Sequence, residues 1–324
     1  MHRLGLSCAL ALLLLAPASA FASGTGYVFV SNEQSNDIAV LDPKSDYAVV
    51  ARIATGRRPR DMHFTKDRQR LLVACGDDDE IDVIDVAALK VIDRIKTGSS
   101  PEIFLLSPDE RTLFVSDEED SSVEAIDVED KKIEREIQTG PEPEGLALGG
   151  GILYATSEMA DVVHVIDPAA GRVTTSIVVG SRPRRLLLRP EAHELWVSDE
   201  MSGDIALIDT KADRLLRMVT FDPPGFRRID VTPVGLALSH DRKLAFITLG
   251  RANHVAFVDP ETKAVLAYVL VGSRAWGVAV SHDDKTLFVT NGLSDDLTII
   301  DIASRKAIKS VAVGRTPHSV VVDD

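Results

Sequence analysis

The stretch Thr286–Gly314, TLFVTNGLSDDLTIIDIASRKAIKSVAVG, decides how the rest of the chain is read. Leu287, Phe288 and Val289 begin a strand, and Asn291-Gly292 with Ser294-Asp295 supplies a turn. Leu297–Ile300 form a second strand ending at Asp301. A polar turn at Ser304–Lys306 leads into a third, Ala307–Val313, which Gly314 closes. Short runs rich in β-branched residues and bounded by Asn, Asp, Ser and Gly predict β structure.

The same pattern recurs along the chain. An apolar strand ends in Asp at Asp42, Asp85, Asp127, Asp167, Asp209, Asp259 and Asp301, in steps of 43, 42, 40, 42, 50 and 42 residues. Closing glycines fall at Gly56, Gly98, Gly140, Gly180, Gly272 and Gly314. A period near 42 with several strands per repeat is the signature of a propeller array, in which stacked sheets bury faces that no single sheet can bury alone. The expectation is an all-β protein: one seven-bladed β-propeller of four-stranded blades over residues 23–324. Blade 1 lacks a leading strand, and the chain ends in Thr316-Pro317-His318-Ser319-Val320-Val321-Val322 with nothing after it. The C-terminal strand should therefore complete blade 1 and close the ring. The 50-residue step holds an insertion, Phe221–Arg228, whose Pro223-Pro224 pair stops a strand and predicts a protruding loop with two exposed aromatics.

Residues 1–22 read as a secretory signal peptide: Arg3, an apolar run over Leu10–Leu15, and small residues around Ala20 and Ala22. A periplasmic, non-membrane protein follows, with Cys75 as its single cysteine. The formal charge of −14 argues against nucleic acid and anionic membranes as partners. His240 and His282 fall in tight turns and read as solvated turn residues.

Val289-Thr290-Asn291 with Leu297–Asp301, Ser31-Asn32 with Ile38–Asp42, and the Gly-x-x-Pro segments at Gly56–Pro59, Gly98–Pro101 and Gly314–Pro317 resemble the YVTN β-propeller repeat. With the leader and seven repeats, the chain is most similar to the exported propellers associated with PQQ-dependent catabolism. That resemblance implies an accessory, non-catalytic role beside a quinoprotein alcohol dehydrogenase or an ABC-transporter component. Trp is limited to Trp196 and Trp276, and there is neither an adjacent Cys pair nor a CxxCH site, unlike the quinoprotein enzymes themselves.

A site is expected where the repeats differ. The residue after each Gly-x-x-Pro position is Arg60, Glu102, Glu144, Arg184, Val234, Trp276 and His318 in turn. Arginines crowd the segments leading into blades 2, 5, 6 and 7, while Glu102, Glu142 and Glu144 make an acidic sector. Arg offers a planar fork for carboxylates, and Trp276 a stacking face, so a small anionic ligand such as PQQ, a flat tricarboxylate, is expected at the mouth. Met159 and Met201, beside Phe221 and Phe226, read as a docking patch. Cys75 stands where other repeats carry Asn32, Asp117 or Asp199 and is placed near the mouth. No Gly-x-Ser-x-Gly, HExxH or phosphate loop is present and no metal site is predicted. The alternative is a hydrolase or lactonase using Glu144, His318 and a bound metal at the same mouth.

Overall fold

A computed structural model describes residues 24–324; the expected signal peptide lies outside them. Seven four-stranded antiparallel sheets form a ring. Blade 1 consists of Pro317–Val322, Val28–Asn32, Asp37–Asp42 and Ala48–Ala54, in that order. The first strands of blades 2 to 7 are Pro59–Phe64, Pro101–Leu106, Pro143–Gly149, Pro183–Arg189, Leu236–Leu238 and Ala275–Val280. Ring closure by the C-terminus is as expected: Val28, Phe29 and Val30 pair with Val322, Val321 and Val320. The Asp323 carboxylate accepts from the Thr25 N–H at 2.7 Å and from Arg68 Nε at 2.7 Å, so three distant parts of the chain meet at the seam.

The core is divided among the seven blade junctions, one apolar cluster to each. Val28 and Val30 of blade 1 pack with Phe288 and Ile299 of blade 7, and Phe29 and Val40 pack with Met62 and Val73 of blade 2. Each blade thus buries its two faces only against its neighbours, which is why the repeat is stable only as a closed set. Fourth strands are outermost and largely exposed. First strands surround a central channel of about 560 Å³, to which every blade contributes, among them Met62, Leu105, Leu146, Leu186, Leu236, Val278 and Val320.

The Phe221–Arg228 insertion does not protrude as expected. Phe221 is buried with Trp196 and Leu249 between blades 5 and 6, and the Tyr268 hydroxyl accepts from the Asp222 N–H at 2.7 Å. Phe226 packs edge-on to His254, 5.4 Å between ring centres. The Pro pair stops the strand, but the aromatic side chains find more apolar contact by folding back than water would give them. Blade 6 is shortened by this excursion. A 3-10 turn occupies Arg228–Asp230, and the first strand begins only at Leu236.

Candidate functional site

The repeat itself builds the site. In five of the seven blades a hydroxyl near the end of the second strand reaches the backbone carbonyl of the variable residue in the next blade. Ser31 donates to the Arg60 carbonyl at 2.7 Å, Ser116 to Glu144 at 2.8 Å, Thr248 to Trp276 at 2.7 Å and Thr290 to His318 at 2.9 Å. Thr156 does the same for Arg184 at 3.2 Å. The Thr of Val-Thr-Asn is therefore a clamp on its neighbour, each such buried bond contributing about 1 kcal/mol. Glycine follows the variable residue where backbones approach closest: a Cβ at Gly145 would lie 2.1 Å from the Arg184 carbonyl oxygen, and one at Gly277 2.4 Å from that of His318.

Arg60, Glu144, Arg184, Trp276 and His318 converge on one cavity of about 370 Å³ at the channel mouth, with Glu102 buried directly behind. Val234 is apolar and buried. Arg60 and Arg184 are not solvated. They are 7% and 4% exposed and lie in a network of buried carboxylates. Arg60 Nε is 2.8 Å from Glu102 and 3.3 Å from Glu33, while Arg58 meets Glu102 at 2.8 Å. Arg184 reaches Glu144 at 2.8 Å and Glu158 at 2.7 Å, and Arg182 reaches Glu158 at 2.7 Å. Arg185 ties Glu144 to His318, lying 3.4 Å from His318 Nε2, and forms the floor between mouth and channel. The expected separation into basic and acidic sectors is thus replaced by pairing across blade junctions. Buried charges need counterions, and the ring supplies them from the next blade.

Protonation follows from this packing. Burial raises Glu144, but Arg184 and Arg185 outweigh it and hold the group well below the usual carboxylate range. Burial and the adjacent Glu144 raise Glu158 against the pull of Arg184 and Arg182. Burial, then Arg60, Arg185 and Arg184, drive His318 well below its ordinary value, so the imidazole is neutral, with Nδ1 unpartnered.

Trp276 does not present an open stacking face: the Arg184 and Arg274 guanidiniums lie over its ring at 4.9 and 4.7 Å, and His318 lies 5.6 Å away. Met201 lines the cavity, 55% exposed, and Met159 is 68% exposed outside it. Phe221 and Phe226 line neither, so the expected Met–Phe patch does not form; the two rings belong to the blade 5–6 core. Arg227 and Arg228 turn to Asp230 and Asp204, away from the cavity. Cys75 is wholly buried and its thiol is raised strongly by burial and then by Asp82, which makes it an inert core group. Among the described residues no three His, Cys, Asp or Glu side chains are grouped to hold a metal ion. Sequence reasoning missed Arg251 and Leu293, both at the cavity. Blade 6 breaks the repeat there, so no aligned position marked Arg251.

The fold and this mouth define a seven-bladed β-propeller with a charged, preorganised channel opening. The YNCE-like β-propeller family matches residues 234–324. A search of curated proteins found no match. Similar solved structures include Kuenenia stuttgartiensis hydrazine synthase, at 20% identity over 90% of this chain and 99% of that chain, TM-score 0.76. The Pseudomonas aeruginosa periplasmic gluconolactonase PpgL matches at 21% over 92% and 99%, TM-score 0.76. The dihydro-heme d1 dehydrogenase NirN in complex with DHE matches at 15% over 91% and 75%, TM-score 0.68. At such identities the likeness carries the fold alone.

Proposed function

We propose that this protein is an exported, non-catalytic binding propeller that takes a small organic anion at its channel mouth and serves a PQQ-dependent alcohol-oxidation system. The observation that carries the binding part is the set of guanidiniums fixed by buried carboxylates around the 370 Å³ cavity. Side chains already held by buried ion pairs lose little further freedom when a ligand arrives, which lowers the cost of binding. PQQ, with three carboxylates on a flat body, is the candidate ligand. A quinoprotein dehydrogenase or an ABC-transporter component in the periplasm is the candidate partner. Both rest on the YVTN-type resemblance together with the anion-suited mouth. Calorimetric titration with PQQ and a panel of small carboxylates, with mass spectrometry of natively purified protein, tests the reading. Saturable binding or a co-purifying carboxylate supports it. A protein that binds no anion at millimolar concentration and carries none overturns it.

A lactonase-like reading has one observation in its favour, the neutral His318 with a free Nδ1 beside ionised Glu144 and three arginines. An imidazole kept unprotonated among cations is suited to accept a proton from water. A pH-stat assay on aldonolactones decides it: turnover lost in His318→Gln supports hydrolysis, and no turnover removes it.

A further inference from the structure

Resting on the anion-binding reading, we infer that the ligand sits between blades 5, 6 and 7, held by Arg251 and Arg274. It is a compact di- or tricarboxylate with an apolar body, not a simple hydrophilic anion.

The ring is uneven in its carboxylates. At the exit of the second strand, blades 1, 3, 4 and 5 place Glu33, Glu118, Glu158 and Glu200. Each donates its backbone N–H to the segment leading into a first strand: Glu118 to Ser100 and Glu200 to Arg182, for example. Blade 7 has Gly292 in that place, bonded to Arg274, and in blade 6 the turn is Gly250-Arg251. Val234 and Trp276 stand uncharged in blades 6 and 7 where blades 2 to 5 carry Arg60, Glu102, Glu144 and Arg184. Cations therefore continue into blades 6 and 7 where carboxylates stop.

The last carboxylate is oversubscribed. Glu200 lies 2.7 Å from Arg274, 3.4 Å from Arg182 and 3.6 Å from Arg184. Every other arginine lining the cavity has a carboxylate partner, but Arg251 has none among the described residues; its side chain is exposed and only its backbone N–H is engaged, by Thr232 Oγ1 at 2.8 Å. Burial, with Arg251 and Arg184 adding to it, lowers Arg274 against the pull of Glu200, as expected where positive charge is in excess. Arg182, Arg184, Arg185, Arg251 and Arg274 share only Glu144, Glu158 and Glu200 as carboxylate partners, five guanidiniums to three carboxylates. Two or more negative charges on the ligand restore balance.

The same sector is open and apolar at its rim. A second hollow of about 560 Å³ continues outward between blades 6 and 7 and shares Arg251, Arg274 and Leu293 with the mouth. Leu293, 76% exposed, and Met201, 55% exposed, occupy matching turn positions on either side of Arg251. Apolar side chains left bare beside an unpaired cation fit a ligand that carries both features.

The experiment is calorimetric titration at low salt with benzene-1,3,5-tricarboxylate, benzoate and citrate, on the wild-type protein and on Arg251→Ala and Arg57→Ala. Arg57 is a solvent-side arginine paired with Asp78 outside the cavity, so it controls for general charge. Benzene-1,3,5-tricarboxylate should bind at least tenfold tighter than benzoate, which has the body with a single charge, and tighter than citrate, which has three carboxylates without the apolar body. Arg251→Ala should weaken it at least tenfold and Arg57→Ala less than twofold. Leu293→Ser should weaken the tricarboxylate but leave citrate unchanged. If the wild type binds an anion and Arg251→Ala binds it equally, the sector assignment is overturned while the binding reading stands. If the wild type binds none of the three, nor PQQ, both fall.

Discussion

Asp117→Asn should stabilise the protein, and increasingly so as pH rises. Asp117 is wholly buried at the junction of blades 2 and 3, and no N–H or cation reaches either carboxyl oxygen; its polar neighbour is the Glu124 carboxylate. Glu124 stands beside it, accepting the Gly98 N–H at 2.9 Å. Burial and then Glu124 push Asp117 up to about 9 from an ordinary 3.8. The sign follows from linkage: below about pH 4 both folded and unfolded chains carry the proton, and nothing is lost. Above that, only the unfolded chain ionises, and stability falls until pH passes the folded value near 9. Each tenfold difference in proton affinity is worth about 1.36 kcal/mol, which gives a ceiling of roughly 4 kcal/mol at pH 7; local relaxation and water entry bring the expected gain to about 1–3 kcal/mol. The chain shows how an amide serves here: Asn291 Nδ2 donates to Asp296 at 2.6 Å and to Thr298 at 2.8 Å, and Asn32 Nδ2 to Asp37 at 2.8 Å. Urea denaturation of both proteins at pH 4, 7 and 8.5 is the assay. An equal difference at all three values, or a variant less stable at pH 8.5, refutes the reasoning.

Arg60→Ala and Arg184→Ala, each stranding buried carboxylates, should lose about 3–5 kcal/mol, against under about 0.5 kcal/mol for exposed Arg251→Ala, all by denaturant melts. Neither Arg60 nor Arg184 can therefore be removed to test binding with stability intact. Deleting Pro317–Asp324 removes the first strand of blade 1 and exposes two junction clusters, so the truncated protein should show no cooperative unfolding transition by circular dichroism. Thr290→Val removes the clamp on the His318 carbonyl and leaves that buried acceptor unpaired, at a cost of about 1–3 kcal/mol by the same melts. Cys75 should resist thiol reagents at pH 8 in native protein and react at once in urea.

The apolar-Asp marker every 42 or so residues, the closing glycines and the orphan final strand determine seven blades and their closure, because strand period, turn chemistry and unmatched ends are local properties of a chain. The same periodicity located the mouth: Arg60, Glu144, Arg184, Trp276 and His318 occupy one position of the repeat, and one position of a propeller is one place in space. What those residues do there was decided between blades. Glu102 and Arg58 are 44 positions apart and 2.8 Å apart in the fold, and nothing in their spacing says they meet. Pairing across junctions buried Arg60 and Arg184. The fold-back of Phe221 turned an expected docking ring into core, and the missing carboxylates of blades 6 and 7 left Arg251, among the described residues lining the cavity, as the arginine without a carboxylate partner. A repeat specifies each blade's own strands and turns; charge balance depends on which side chains neighbouring blades bring within a few ångströms, and that is set only when the ring closes.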